Sequence, residues 1–248
     1  MQQKCPYSCL LSNHTMKKIF FAFVCFVATD SFSQTKIGFE GGFNSASFAQ
    51  SGESFLNGYR SSSAAVGTFH VGIVSEIPLS KKIFLQPGLL YFGNGTHIIE
   101  QGSDSGYKAS AHTTIQLYYL RFPVNVVYKI KLNNNLNFLA GAGLYIAKGL
   151  SGTIKGNGEG TSPFAGPFAY SFKDKVEFSN ADSSSSQNNT IVKSFDAGFG
   201  ILAGFGCKIF QLTAKYSRSF SEIYSDGGYN YRNAAFECTL AYLFSFKR

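Results

Sequence analysis

The side chains best suited to chemistry in this chain are charged residues that fall on one face of alternating apolar stretches. They are Glu40, Glu76, Arg121, Asp196, Lys215 and Glu237. Carboxylates beside an arginine or a lysine can pass protons or ions, or one of them can act as a general acid or base. Buried together, the same groups form a hydrogen-bonded ion network. The sequence favours such a network, with a solute or proton path and a catalytic carboxylate as the alternatives.

A histidine shares the face of these charges. His70 could be combined with Glu76 or a serine into a hydrolase site of the kind found in small barrels that act on lipids. No strand supplies a convincing serine or aspartate partner, and catalytic triads are recognised by geometry. We therefore predict a structural histidine and expect no enzymatic activity. His97 and His112 lack metal-ligand spacing, so neither a metal nor a cofactor is expected.

The charges are positioned by segments whose hydrophobic pattern repeats every two residues. Gln116–Lys129 puts aromatic and aliphatic side chains on one face and Arg121 on the other. This period, with many β-branched and aromatic residues, predicts β-strands. Eight strands are predicted: Lys36–Asn44, Thr68–Ile77, Ile83–Gly93, Gln116–Lys129, Leu136–Ala147, Phe195–Gly206, Leu212–Phe220 and Phe236–Phe246.

The connections between these strands alternate between long and short. The long ones are Gln50–Ala64, Asn94–Thr113, Ser151–Lys193 and Ser221–Asn233, and the short ones are Pro78–Lys82, Lys131–Asn135 and Lys208–Gln211. Such alternation is typical of a barrel with one rim in the periplasm and the other outside the cell. We predict an all-β fold, an eight-stranded antiparallel up-and-down transmembrane β-barrel, with the long connections outside. Closure is needed because hydrocarbon does not tolerate open sheet edges.

The composition agrees with a wall that is solvated by lipid. Aromatic residues make up 16% of the 248 residues and charged residues 15%, against roughly 25% charged residues in soluble domains. The residues predicted to face lipid include Phe39, Val71, Phe122, Leu144, Phe199, Tyr216 and Leu240. The net charge is +8, but no run of Lys and Arg exceeds two residues. We expect outer-membrane lipid around a monomer, possible envelope protein partners and no nucleic acid.

Residues 1–33 are predicted to be a leader that precedes a barrel domain at residues 34–248. Met16 to Lys18 gives a start and a basic region, and the apolar run Ile19–Ala28 follows it. This arrangement, with a possible cleavage site before Gln34, is typical of a signal peptide. The apolar run is shorter than the roughly 20 residues that a membrane-spanning helix needs.

Several runs of residues resemble the PorT-like outer-membrane β-barrel family. They are Phe69–Ser80 (FHVGIVSEIPLS), Leu85–Tyr91 (LQPGLLY), Tyr119–Val124 (YLRFPV) and the closing Leu240–Phe244 (LAYLF). The resemblance covers roughly Lys36 to Phe246 and keeps the order of the motifs, although Ser245–Arg248 extend beyond the aromatic end. It implies the barrel fold and the outer membrane. It implies little about activity, because most members lack one and the family takes its name from a member linked to protein secretion.

The sequence thus predicts an outer-membrane barrel with a structural or protein-interaction role and a lumen that is plugged by the charged network. The alternative is a narrow, porin-like channel for small solutes, and a lipid-modifying enzyme comes third. A soluble ligand-binding barrel is disfavoured, because the charges all lie on the same face of the strands.

Overall fold

The computed structural model describes residues 35–51, 59–104, 107–179, 191–226 and 229–245. The predicted leader lies outside these residues. Thirteen strands are present in them: β1 Lys36–Ser51, β2 Tyr59–Ala64, β3 Val66–Pro78, β4 Ile83–Asp104, β5 Tyr107–Lys131, β6 Leu136–Ser162, β7 Gly166–Lys175, β8 Glu177–Phe178, β9 Ile191–Val192, β10 Phe195–Cys207, β11 Phe210–Ser219, β12 Tyr224–Asp226 and β13 Tyr229–Ser245. In the described part of the chain, no helix has the length and apolar character needed to cross a membrane.

Eight of the strands close into a ring. The order is β1, β3, β4, β5, β6, β10, β11 and β13, and β13 returns to pair with β1 from Lys36↔Ser245 to Ser51↔Asn230. Every pair in the ring is antiparallel. The predicted all-β, eight-stranded, up-and-down barrel is therefore confirmed.

The three short connections lie at one rim, and side chains and tight backbone geometry hold them. Between β3 and β4, the Ser80 hydroxyl accepts hydrogen bonds from the backbone N–H groups of Lys82 and Ile83. Between β5 and β6, the side-chain oxygen of Asn133 accepts from two backbone N–H groups at 2.9 and 2.8 Å, as asparagine commonly does in turns. Between β10 and β11, Lys208 adopts a φ of 52°. All three predicted turns are confirmed.

The other rim differs from the prediction, because the segments expected to be loops contain strands. β4, β5 and β6 are 22, 25 and 27 residues long, whereas a membrane crossing needs about 9–11. The described residues of the loops predicted at Asn94–Thr113 and Ser151–Lys193 instead form the ends of these strands together with β7, β8 and β9, while residues 105–106 and 180–190 of these loops lie outside the described part of the chain. Their small and polar residues lack the apolar alternation that marks the membrane part, so periodicity alone missed them.

The long strands form a sheet that projects beyond the barrel, which we call the extension. β2 pairs with β4 on one side, and β7 pairs with β6 on the other. Three aromatic residues of β7 lie over three glycines of β6: Phe172 over Gly156, Tyr170 over Gly158 and Phe168 over Gly160. A Cβ atom at Gly158 would come within 2.6 Å of the Tyr170 ring. Rings that cover cross-strand glycines in this way stabilise a strand pair.

The outward face carries an apolar band between two aromatic belts. Near the short turns, the rings of Phe39, Phe244, Tyr242 and Phe210 contact one another in sequence, with centroids 5.3 to 6.4 Å apart. Towards the extension, Phe69, Tyr91 and Tyr118 form a second group with centroids 5.2 to 6.0 Å apart. Aromatic girdles on both sides of an apolar band are typical of outer-membrane barrels.

The predicted lipid-facing residues lie on this outward face. Phe39, Val71, Phe122, Leu144, Tyr216 and Leu240 are all exposed. Phe199 is half-buried because its ring stacks on Phe220, with 5.4 Å between centroids. The alternation thus fixes which side of each strand faces lipid.

The lumen as candidate functional site

The interior of the barrel carries buried polar side chains at three levels and an apolar cluster above them. An eight-stranded barrel encloses a space just wide enough for side chains. Inward positions of the strands supply these groups, because successive side chains of a strand point to opposite faces.

The lower level lies beside the short turns and is centred on Glu76, which is 1% exposed. One oxygen of its carboxylate, Oε2, accepts from Lys129 Nζ at 2.6 Å, from Gln211 Nε2 at 2.7 Å and from Gln86 Nε2 at 2.9 Å. Lys36 Nζ stands 3.9 Å from the other oxygen, Oε1. Lys129 also lies 4.3 Å from the centroid of the Phe84 ring. Residues from β1, β3, β4, β5 and β11 thus meet around a single carboxylate.

The middle level is centred on Arg121 of β5. Its Nη1 atom donates to Glu237 Oε1 at 3.2 Å and to Ser217 Oγ at 3.3 Å, and Ser217 Oγ donates to the same carboxylate oxygen at 2.7 Å. The guanidinium carbon lies 3.5 Å from the centroid of Phe92 and 3.9 Å from that of Tyr145. The cation is therefore held between two rings, where cation–π attraction adds to the ion pair. A cavity of about 30 Å³ borders Arg121 and Glu237.

Lys215 and Glu40 form a further ion pair in the lumen, next to Glu237, which lies opposite Lys215 on β13. Lys215 Nζ lies 3.5 Å from Glu40 Oε2, and both side chains are largely buried. β11 and β1 are the two neighbours of β13 in the ring, so this pair reaches past one strand on the inner face. Two opposite charges at this distance offset part of each other's desolvation cost.

His70 is buried among neutral partners at the same depth. Its Nδ1 lies 2.6 Å from the side-chain oxygen of Asn44, and its Nε2 lies 3.1 Å from the hydroxyl of Thr239. Its ring stacks on Phe92 at 5.7 Å between centroids. Both ring nitrogens are thus occupied, and Glu76, the acid considered as its partner from sequence, belongs to the lower level.

The upper level is centred on Asp196, which is 2% exposed. Its carboxylate accepts from the hydroxyl of Ser219, from Asn233 Nδ2 at 2.9 Å and from the hydroxyl of Tyr145 at 3.5 Å. Asn233 Nδ2 also lies 3.4 Å from the hydroxyl of Tyr119. This carboxylate is therefore held by neutral donors. Hydrogen bonds to the charged form stabilise a buried acid in this way.

An apolar cluster, which we call the cap, covers the upper level. It contains Phe48, Leu117, Tyr119, Tyr145, Ala147, Val176, Val192 and Ile223, all buried. The ring of Phe178 lies over Gly149 and meets Tyr119 edge-on, with 5.6 Å between centroids. Backbone hydrogen bonds from Gly149 to Ser194 and from Val176 to Gly152 tie the cap to the rim. The cap lies above the upper level, on the side of the extension.

The six residues predicted as one network are all inside the barrel, but they divide into groups. Arg121 contacts Glu237, and Lys215 contacts Glu40. Among the described hydrogen bonds and ion pairs, none joins Arg121 to Asp196, and Glu76 binds none of the other five. The alternation of side chains along a strand shows which face a residue is on, but it does not show which residue it contacts inside the lumen.

The sequence reasoning missed several members of these groups. Lys129 lies on the same face of β5 as Arg121, so strand alternation places it in the lumen as well. It lies near the end of the strand, whereas the predicted network contains only residues predicted further inside the barrel. The other members are neutral, so the pattern of charged residues does not reveal them: Gln86, Gln211, Ser217, Ser219, Asn233, Asn44 and Thr239. They could have been found as polar residues on the inward face of otherwise apolar strands.

The fold, the girdled apolar band and the polar residues on the inward face together define an integral outer-membrane β-barrel. The model of the family described as "Outer membrane protein beta-barrel domain" matches residues 32–225. The chain belongs to this family and resides in the outer membrane of a Gram-negative cell envelope.

Solved structures that are similar to the chain are outer-membrane proteins. Ail, the attachment invasion locus protein of Yersinia pestis, is 10% identical, covers 84% of this chain and 98% of its own, and has a TM-score of 0.33. OprG of Pseudomonas aeruginosa is 11% identical over 87% and 99%, with a TM-score of 0.41. The outer membrane protease OmpT of Escherichia coli is 13% identical over 88% and 100%, with a TM-score of 0.37. No curated protein matches the chain.

Proposed function

We propose that the protein is a non-conducting, PorT-like outer-membrane barrel with a structural or protein-interaction role. In this proposal the barrel is a rigid, monomeric anchor in outer-membrane lipid, and the extension is the part that meets other envelope components. No catalytic step is assigned to the lumen, and no cofactor or nucleic acid takes part. The motifs at Phe69–Ser80, Leu85–Tyr91 and Tyr119–Val124 support the PorT-like assignment.

The observation that carries the proposal is the burial of hydrogen-bonded side chains in the lumen at successive depths. The lower level closes around Glu76, the middle level around Arg121 and the upper level around Asp196. The cavity beside Arg121 measures about 30 Å³, which is room for about one water molecule. A hydrated ion passing through would have to displace hydrogen-bonded side chains at each level. Porins with a water-filled channel have 16 to 18 strands.

The length of the connections supports one orientation in the membrane. Outer-membrane barrels have short periplasmic turns and longer parts outside the cell. The three tight turns of this chain lie at one rim and the extension at the other. We therefore place the extension and the cap outside the cell.

The interior offers little for hydrolysis, and this supports a role without catalysis. His70 is 1% exposed, and its two nitrogens meet an asparagine and a threonine. A general base must reach the proton that it removes, directly or through a water molecule. A substrate could not approach His70 without dismantling its surroundings.

Planar-bilayer recording of the purified protein tests the proposal. We expect no steady current from single insertions, whereas a porin reconstituted in the same lipid gives stable steps. Insertion is checked independently by the resistance of the barrel to protease in vesicles. A steady current that scales with protein and salt concentration would replace the proposal with the narrow-channel alternative.

A further inference from the structure

The extension carries a group of lysines that takes no part in the lumen. Lys155 of β6 lies directly opposite Lys173 in the β6–β7 pair, and Lys175 is the next residue of β7 on the same face. All three side chains are exposed. We call these three residues the lysine cluster.

The glycines of β6 show which face of the sheet the lysine cluster occupies. A Cβ atom at Gly152 would lie 2.8 Å from two side chains of the cap, and the Phe172 ring covers Gly156 on the same face. Successive side chains of a strand point to opposite faces. Lys155, and with it Lys173 across the pair, therefore points away from the cap and towards the surroundings of the barrel.

The nearest acidic residues do not balance the lysine cluster. Glu177 of β8 follows Lys175 by two residues, and Glu159 lies four residues beyond Lys155, about 13 Å along β6. Asp174 stands between the two lysines of β7 and so points to the opposite face. In the part of the chain that the structure describes, no ion pair within 4.0 Å includes a lysine of the cluster. With Glu177 counted against three lysines, two positive charges remain.

The direct opposition of Lys155 and Lys173 is unfavourable for the sheet itself. Side chains at opposed positions of an antiparallel pair have Cβ atoms about 4.5–5.5 Å apart, and like charges there destabilise the pair. An anion bound between the two ammonium groups removes this repulsion. A phosphate suits the position, because its several oxygens can accept charge-assisted hydrogen bonds from both lysines.

The height of the lysine cluster above the membrane favours one source of phosphate. Tyr118, whose ring belongs to the aromatic belt towards the extension, is paired with Ser151 of β6. Lys155 is four residues further along, which corresponds to about 10 Å above the belt for a strand that rises about 3.3 Å per residue and tilts by about 35–45°. The headgroup region of a phospholipid leaflet is only about 5–8 Å thick. Phosphates carried on larger, sugar-containing headgroups extend to the level of Lys155.

We propose that the lysine cluster binds phosphate groups on the sugar headgroups of outer-leaflet glycolipids. Lys155 and Lys173 hold one phosphate between them, and Lys175 adds a third cation beside it. The bound headgroup offsets the repulsion within the β6–β7 pair and fixes the base of the extension to the membrane surface. The inference rests on the orientation given under the proposed function, which puts the extension outside the cell.

Native mass spectrometry of the intact protein in detergent tests the choice of ligand. The probes are a deep-rough lipopolysaccharide with a phosphorylated inner core, the same lipopolysaccharide after hydrofluoric acid has removed its phosphates, and phosphatidylglycerol. We expect the phosphorylated glycolipid to bind at a concentration about tenfold lower than the other two. Equal binding of the dephosphorylated form would overturn the role of phosphate, and equal or tighter binding of phosphatidylglycerol would overturn the glycolipid source.

Variants locate the binding. Lys155→Gln combined with Lys173→Gln should weaken binding of the phosphorylated glycolipid about thirtyfold, at roughly fivefold for each lysine near an anionic surface. Arginine at both positions should retain it. Lys108→Gln is the matched control, because Lys108 is exposed on the same face of the sheet but lies near the tip of β5, opposite Thr161. Equal affinities of the double glutamine variant and this control would overturn the assignment.

Urea unfolding in vesicles separates recognition from folding. In phosphatidylcholine alone, the double glutamine variant should be at least as stable as the unmodified protein, because it lacks the opposed charges. When the vesicles also contain the phosphorylated lipopolysaccharide, the unmodified protein should gain stability and the variant should gain less. An equal gain in both proteins would contradict binding at the lysine cluster.

An acidic protein segment is the competing occupant, so hexaglutamate is offered under the same conditions. Tighter binding of hexaglutamate than of the phosphorylated glycolipid would assign the cluster to a protein and refute the proposal. The proposed function and this inference can fail separately. A steady current through the barrel would refute the non-conducting role without altering the binding results, whereas a reversed orientation on intact cells would overturn the outer-leaflet source.

Discussion

Removing the arginine at the centre of the lumen should destabilise the barrel strongly. Arg121 is 4% exposed and Glu237 is 3% exposed, with 3.2 Å between Nη1 and Oε1. In Arg121→Ala, the carboxylate of Glu237 would keep its hydrogen bond from Ser217 but lose its cation. Breaking a buried ion pair from one side typically costs about 3–5 kcal/mol, because the remaining charge is uncompensated.

The packing of the guanidinium between Phe92 and Tyr145 also contributes to the stability of the barrel. Suitable variants separate this packing contribution from that of the ion pair. Arg121→Met keeps much of the side-chain volume but loses the charge. Glu237→Gln in the Arg121→Met background removes the unpaired charge as well. If the uncompensated carboxylate dominates, the double variant should regain most of the stability that Arg121→Met loses. A double-mutant cycle measures this coupling.

The assay is reversible urea unfolding in phospholipid vesicles, supported by heat-dependent mobility in gels. Arg218→Ala is the matched control, because Arg218 lies on the outward face of β11 near the outer rim and is exposed. Lys193→Ala, an exposed position just before β10, is a second control. Stability of Arg121→Ala within about 1 kcal/mol of both controls would refute the role of the ion pair, since exposed charges usually contribute no more than that.

Three further outcomes follow from the geometry. Leu144 lies on the outward face and is 62% exposed, so Leu144→Arg should lower the free energy of unfolding by about 2–4 kcal/mol in the same assay. Leu150→Arg, nearer the extension, should lower it by about 0–1 kcal/mol. Equal losses would contradict the position of Leu144 at the membrane midplane. Lys129→Met should destabilise the barrel more than Lys129→Met combined with Glu76→Gln, because only the single variant strands a buried carboxylate. Chymotrypsin added to intact cells should cut after Phe164, the exposed ring of the β6–β7 turn; cutting only after the outer membrane is permeabilised would reverse the orientation.

The barrel itself was predictable because its strands are marked by a pattern of neighbouring residues in the sequence. Residues on alternate sides of a strand see lipid or lumen, so a period of two reveals both the strand and its face. Asn133 and Ser80 mark tight turns through side-chain hydrogen bonds to nearby backbone groups, which sequence patterns also reveal. The number of strands and the positions of these turns followed from such signals.

The extension was not predictable from the same signals. Gly156, Gly158 and Gly160 suggest a flexible loop when they are read alone, because glycine is depleted in strands. They belong to β6 since Phe172, Tyr170 and Phe168 of β7 cover them. That pairing depends on two segments that meet only after the chain has folded back at the β6–β7 turn.

The partners within the lumen were not predictable either, because they lie on strands that are distant in the ring. Arg121 of β5 meets Glu237 of β13, and Gln211 of β11 meets Glu76 of β3. Parity cannot match residues across an interior, because that match depends on the stagger of the closed barrel.

The same cross-lumen contacts help to specify the register of the barrel. A shift of one residue in a single strand would turn its inward charge towards lipid. For β5 this would move Arg121 from its contact with Glu237 to the lipid face, where an arginine at the midplane costs about 2–4 kcal/mol. The abandoned Glu237 would add the cost of an unpaired buried carboxylate. Because Arg121, Glu76 and Lys215 each bind a residue of a non-adjacent strand, slipped registers of three different strands are all disfavoured. The polar lumen thus excludes alternative pairings that the apolar outer face alone would tolerate.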